Sequence, residues 1–284
     1  MKKFITLPVI TATALFSTAT ASAACPTATE AAHLAALYMN KQIVSNPADL
    51  SIADAQCGRD KFVGFLSQQL TKIVGYKAGL TNPAVQKKFN HDQPVLGVLF
   101  QEMLLPDGSE VPVSFGARPL FEADLLVRVK DVGINKAKTP EQVIQHIDAI
   151  IPFIELPDLL VQEPTKLNGA TLTYINVGAR LGITGKPVPI KDITVSQLAD
   201  MSIRIVDGDN NEIDRGSGSD IMGHPLNAVV WMAQDLARSG HQLKAGDVLS
   251  LGSFSKLRLP KAGQTIRVVY EGIKDTPSVS VKFR

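Results

Sequence analysis

Apolar positions recur at helical spacing in the first quarter of the chain and at strand-like spacing through most of the remainder. Thr27-Ala28-Thr29-Glu30 has the S/T-x-x-E form of a capping box. The alanine-rich stretch behind it, to Val44, puts Leu34, Leu37 and Tyr38 on one face and predicts a helix stopped by Asn46 and Pro47. Lys61 to Ile73 carries Phe62, Phe65, Leu66, Leu70 and Ile73 at the same spacing and predicts a second helix. The texture changes at Gly75. From there to Lys130, short apolar runs are broken by Gly, Pro and Asp, with Pro106-Asp107-Gly108 as a turn. Thr139-Pro140-Glu141-Gln142 opens a further helix whose apolar face is Val143, Ile147 and Ile150. A last helix starts around Pro225 and ends before Gly240, burying Leu226, Val229, Val230, Ala233, Leu236 and Ala237. Strands are predicted at Ser202 to Val206, Val248 to Leu251, Thr265 to Tyr270 and Val279 to Phe283. The class is α+β, with a helical N-terminal region over residues 24–74 and a β-rich domain over residues 75–284.

The first residues follow different rules. Met1-Lys2-Lys3 precedes an uncharged run from Phe4 to Thr20, and Ala21-Ser22-Ala23 supplies the small residues that a signal peptidase needs. Residues 1–23 therefore read as a cleaved secretory signal, which makes the mature chain periplasmic or secreted. The competing readings are a membrane anchor and a lipoprotein. The run contains Pro8 and is shorter than the roughly 20 apolar residues that a span requires, and the residue three before Cys25 is Ser22 rather than leucine. Losing Lys2 and Lys3 lowers the 29 basic residues to 27, equal to the 27 acidic ones. A chain with no net positive charge lacks the general attraction on which nucleic-acid binding rests, and no later apolar run is long enough to cross a bilayer. Cys25 and Cys57 are the only two cysteines. In an oxidising compartment they are expected to pair, closing a loop of about thirty residues for roughly 3 kcal/mol; two free thiols are the alternative.

Four segments could carry chemistry. In Phe121-Glu122-Ala123-Asp124-Leu125-Leu126-Val127-Arg128-Val129, read as a strand, Ala123, Leu125, Val127 and Val129 face a core while Glu122 and Asp124 share the other face. Two adjacent carboxylates call for a positive partner such as a hard divalent cation, unless the face is simply solvated. Glu155 sits among Ile151, Phe153, Ile154 and Leu156, where an unpaired carboxylate would cost several kcal/mol. Lys77, in Gly75-Tyr76-Lys77-Ala78-Gly79-Leu80-Thr81, either meets an anionic substrate and moves a proton or lies in a surface turn. Gly216 to Leu226 is a small-residue loop feeding a helix, where N–H groups around Gly218 and Ser219 can hold a carboxylate and His224 can cap the helix.

The order of these segments carries more than any one of them. GYKxGLT (Gly75 to Thr81), DQPxxGVLF (Asp92 to Phe100), the E-x-D strand, the lone Glu155, GSGxxxxGHPLxAVxW (Gly216 to Trp231) and LKAGDxxxxGS (Leu243 to Ser253) together resemble one family. It is that of the 2-keto-4-pentenoate hydratases and 4-oxalocrotonate decarboxylases, within the fumarylacetoacetate hydrolase superfamily. The resemblance implies a β-rich roll like the C-terminal domain of that superfamily, carrying a helical N-terminal part. It implies Mg²⁺ or Mn²⁺ held by Glu122, Asp124 and Glu155, with Lys77 beside a small 2-oxo or 2-hydroxydienoic acid, and a homo-oligomer. The implied activity is that of a lyase, a hydratase adding water to a 2-hydroxydienoate. The alternatives are a decarboxylase or hydrolase of a related 2-oxo acid, and a non-catalytic periplasmic binding protein. The chain departs from the family pattern at three places. Asp124 stands where most relatives have Glu, Ile175-Asn176-Val177-Gly178 replaces a D-N-A-S segment, and Asp158-Leu159-Leu160 replaces D-S-R.

Overall fold

The computed structural model of the protein describes residues 24–47 and 50–284; the expected signal segment, 1–23, lies outside them. Thr27 caps α1 (Ala28–Met39) through the reciprocal Thr27–Glu30 box, and Ser51 caps α2 (Ile52–Leu66). The chain then forms β1 (Ile73–Gly79), α3 (Pro83–Lys88), β2 (Val95–Phe100), β3 (Leu104–Pro106), β4 (Glu110–Val111) and β5 (Glu122–Val129). After α4 (Pro140–Val143) come β6 (Ile147–Leu156), α5 (Gly169–Tyr174), β7 (Leu181–Thr184), β8 (Val188–Pro189) and α6 (Val195–Asp200). β9 (Ser202–Asp207), β10 (Glu212–Ser217), α7 (Leu226–Arg238), β11 (Val248–Ser250), β12 (Thr265–Glu271) and β13 (Ser278–Phe283) complete it. The mixed α+β class expected from the sequence is the class found.

Two sheets organise these strands. One has eight strands in the order β2-β1-β11-β5-β6-β7-β3, with β8 added against β6, and the other has five in the order β10-β9-β12-β13-β4. Their facing sides share one core: Ala123, Leu125, Val127 and Val129 of β5 and Ile150 and Ile154 of β6 join Ile203, Ile205, Ile266, Val268 and Val281. Tyr270 crosses between the sheets, its fully buried hydroxyl accepting from the Phe153 N–H at 3.0 Å and donating to the Asp124 carbonyl. β1 lies inside the larger sheet, antiparallel to β2 and parallel to β11. Gly75 is required there, because a Cβ would stand 1.8 Å from the Val248 carbonyl oxygen.

A second apolar cluster joins α1, α2 and α5 to β2, through Leu34, Tyr38, Phe62, Leu66, Val98, Phe100, Leu172 and Tyr174. Each such side chain, fully buried, is worth about 1.5–3 kcal/mol. Cys25 and Cys57 are bonded, fixing the start of the described chain to α2. Arg180 holds α1 from the other side, donating to the Tyr38 carbonyl at 2.8 Å while its guanidinium lies 4.3 Å over the Tyr38 ring.

Four expected boundaries move. α1 ends at Met39, and Val44 bridges to Val161 instead of extending the helix. α2 begins at Ile52 rather than Lys61, because its first turns bury small and polar residues, Ala55, Gly58 and Arg59, that carry no hydrophobic stripe. Ile73, expected in that helix, opens β1. The helix at Thr139 lasts only to Val143, and Ile147 and Ile150 belong to β6. An apolar run covered on both faces has no period by which to tell strand from helix.

Candidate active site

The site is built on the side of the larger sheet opposite the shared core. Residues alternate across a strand, so Glu122, Asp124 and Leu126 of β5 share one side, and the register sets Glu122 against Glu155, Asp124 against Phe153 and Leu126 against Ile151. The face is not solvated. Asp124 is fully buried, Glu155 and Lys77 are each 3% exposed, and Glu122 is partly buried.

Lys77 comes from β1, and it is not in a surface turn. It pairs in register with Gly97 of β2, where a Cβ would lie 2.9 Å from the lysine Cγ and 2.8 Å from the Asn176 carbonyl oxygen. The missing side chain lets the lysine arm lie flat across β2. Its Nζ then donates to Glu155 Oε1 and, at 3.0 Å, to the Val177 carbonyl. That carbonyl belongs to three successive left-handed residues, Asn176 and Val177 (each φ 54°) and Gly178 (φ 65°). Glycine adopts this conformation freely, but a β-branched valine does so at a cost of about 1–3 kcal/mol. The Asn176 carboxamide holds the turn, accepting from the Val98 N–H at 2.7 Å and donating to the Val98 carbonyl at 3.0 Å.

One of the three carboxylates, Glu155, contacts the ammonium group, and the other two feel its charge. Burial pushes the Glu122 carboxyl well above the usual carboxylate range, and the charge of Glu155 pushes it further; Lys77 opposes. Burial also raises Asp124, again with Glu155 next in effect. The Asp124 carboxylate is met by the Ser250 hydroxyl and by N–H groups of Leu125, Leu251 and Gly252, the last two at 3.2 and 3.1 Å. The donor set is the hard oxygen kind that Mg²⁺ or Mn²⁺ takes, and the surplus of buried negative charge suits a cation. The expected three-carboxylate cage is not converged, however. Among the described residues no three Asp, Glu, His or Cys side chains stand close enough to hold a metal as placed. The cause is local: Glu155 is turned to Lys77, and Asp124, a methylene shorter than Glu, is held back on the 250–252 segment.

Gly218 and Ser219 lie off this face. A Cβ on Gly218 would sit 1.9 Å from the Leu198 carbonyl, its N–H donates to the Met201 carbonyl at 2.9 Å, and the Ser219 hydroxyl meets that of Ser217 at 3.1 Å. Their loop still touches the end of the lysine strand, for the Met222 N–H donates to the Thr81 carbonyl at 3.0 Å. His224 caps α7, its Nδ1 accepting from the Leu226 N–H at 3.1 Å. Asp158 is structural, taking the N–H groups of Ala117 and Arg118 at 2.9 and 2.7 Å. Sequence reading missed Ser250 and the Val177 carbonyl, since neither a lone serine in a strand nor a backbone oxygen leaves a pattern.

The two-sheet roll that carries the buried lysine and the acids is a fold shared with solved fumarylacetoacetate hydrolase family proteins, and relatives narrow this further. No protein-family model matches the chain. The 2-keto-4-pentenoate hydratase of Burkholderia vietnamiensis is 30% identical over 238 residues, 78% of this chain and 87% of the relative. The 4-oxalocrotonate decarboxylase of Pseudomonas putida is 27% identical over 85% of this chain and 89% of its own length. Among solved structures, the 4-oxalocrotonate decarboxylase of Pseudomonas putida G7, complexed with magnesium and adipate, superposes with a TM-score of 0.81 at 24% identity, covering 92% of this chain and all of that one. The chain belongs to the family of 2-keto-4-pentenoate hydratases and 4-oxalocrotonate decarboxylases.

Proposed function

We propose that the protein is a metal-dependent hydro-lyase that adds water to a small 2-hydroxydienoate, giving a 4-hydroxy-2-oxo acid. The observation that carries this is the buried Lys77 fixed between Glu155 and the Val177 carbonyl on the face that also bears Glu122 and Asp124, in a chain of this family. Glu122, Asp124 and Glu155 are the residues that would hold Mg²⁺ or Mn²⁺; the decarboxylase of like fold was solved with magnesium. When bound, such a cation supplies Lewis-acid stabilisation of negative charge at the substrate's C2 oxygen.

The chain's own groups do the rest. Lys77 Nζ, held by two acceptors, orients the substrate carboxylate and carries the proton that moves during ketonisation. The burial of Lys77, Asp124 and Glu155 excludes water from these charges and strengthens each interaction. The loop of Gly218 and Ser219, through the Met222 N–H on the Thr81 carbonyl, anchors the end of the lysine strand. The working molecule is an exported homo-oligomer lacking residues 1–23.

The test is turnover of 2-hydroxypenta-2,4-dienoate by the mature protein with Mg²⁺ and with chelator. Metal-dependent loss of the dienol absorbance, faster than spontaneous ketonisation, supports the reading, and its absence counts against it. The likeness to the decarboxylase favours a second reaction, loss of carbon dioxide from a related diacid. Release of carbon dioxide during product analysis identifies that case. Tight binding of a 2-oxo acid without product identifies a binding protein that has lost the chemistry.

A further inference from the structure

We infer that Asn176 is a positioning residue for Lys77, acting through the carbonyl of Val177. The inference rests on the reading of Lys77 as the working lysine, and it adds a residue and a mechanical route to that reading. β2 is an edge strand of the larger sheet, so the edge away from β1 has no neighbouring strand to satisfy it. At Val98 that edge is closed by a single side chain, the Asn176 carboxamide, which pairs with both the N–H and the C=O as a strand would. A carboxamide offers an acceptor and a donor in one plane at that spacing.

The placement has a consequence for the lysine. Asn176 is 1% exposed, so its two bonds are made without competition from water. They lock a left-handed Asn176-Val177-Gly178 turn that valine by itself disfavours. The turn directs the Val177 carbonyl at Lys77 Nζ and packs Val177 Cγ1 over Gly79, where a Cβ would lie 2.5 Å away. Among the described residues the lysine has two acceptors, Glu155 and this carbonyl. Without the second, the ammonium group swings on Glu155 alone, and reacting groups misplaced by an ångström lose rate steeply.

The test compares Asn176→Ala and Asn176→Asp with Tyr38→Phe. The Tyr38 hydroxyl donates to the Ala179 carbonyl at 3.0 Å, so its loss also removes a buried hydrogen bond from this segment but leaves Asn176 in place. Positioning predicts that N176A lowers kcat at least tenfold with KM within threefold. Trace acetylation of Lys77, read by peptide mass spectrometry, should rise at least threefold. N176D, which keeps the acceptor for the Val98 N–H, should fall between wild type and N176A, and it answers the question alone if N176A does not fold. Y38F should lower Tm and change neither kcat nor labelling. Unchanged kcat and labelling in a folded Asn176 variant, or equal effects from Y38F, overturn the inference. If the wild type turns over no dienoate, the hydratase reading fails and the labelling result decides this inference alone.

Discussion

Replacing Lys77 with methionine should make the stability of the protein depend steeply on pH, and the structure sets the size of the effect. Methionine keeps most of the arm that lies over Gly97, so little packing is lost. What goes is the one cation among the described residues that is hydrogen-bonded to Glu155, in a pair whose side chains are each 4% exposed. Removing one partner of a buried pair costs about 3–5 kcal/mol. At about 2–4 °C per kcal/mol for a chain near this size, Tm should fall by roughly 6–20 °C at pH 8. The sign follows from the neighbouring acids. Glu122 and Asp124 have raised carboxyls in the folded protein, so folded molecules hold protons that unfolded ones release. Stability is therefore fullest below the ordinary carboxylate range near pH 4 and is lost as pH rises through the folded values. Lys77 offsets that loss in the wild type and cannot in the variant. Calorimetry of both proteins in EDTA at pH 5 and pH 8 should show a deficit at pH 5 no more than half that at pH 8. Equal deficits at the two pH values, or a fall of less than 2 °C at pH 8, would refute the claim that the lysine charge is what balances the carboxylates.

Further outcomes follow from the same geometry. Mg²⁺ or Mn²⁺ should raise Tm more at pH 8 than at pH 6, because a cation and protons compete for Glu122 and Asp124; saturation at a hundred times Kd is worth about 2.7 kcal/mol, and Glu122→Gln should abolish the gain in a thermal-shift assay. Cys57→Ser opens a loop of 32 residues and should cost about 3–4 kcal/mol in urea melts, equal to the effect of reducing the wild type. Gly75→Ala places a methyl group 1.8 Å from the Val248 carbonyl and should leave the protein insoluble, since β1 can no longer pair with β11. N-terminal sequencing of the protein from a periplasmic extract should begin at Ala24 or Cys25, and an intact Met1 would refute cleavage.

Much of this was written in the linear chain. Local chemistry fixed the capped start of α1, the Pro-to-Gly span of α7 and the later strands, because caps, turns and periodicity act between residues a few positions apart. The alternation of Glu122, Ala123, Asp124 and Leu125 dictated which side chains would enter the shared core and which would face away. Cys25 and Cys57, the two cysteines of the sequence, were expected to pair if the chain meets an oxidising compartment, and the bond is present. Tertiary structure alone decided where Glu155 would stand, since the β5–β6 register and not the sequence sets it opposite Glu122. It turned Ile147 and Ile150 from a presumed helix face into a strand, gave Asp124 the hydroxyl of Ser250, and brought a carbonyl 100 residues away within 3.0 Å of Lys77. These are contacts between distant segments made by backbone atoms and small side chains. Such groups have no sequence signature, because every residue carries the same carbonyl and only the fold decides what it faces.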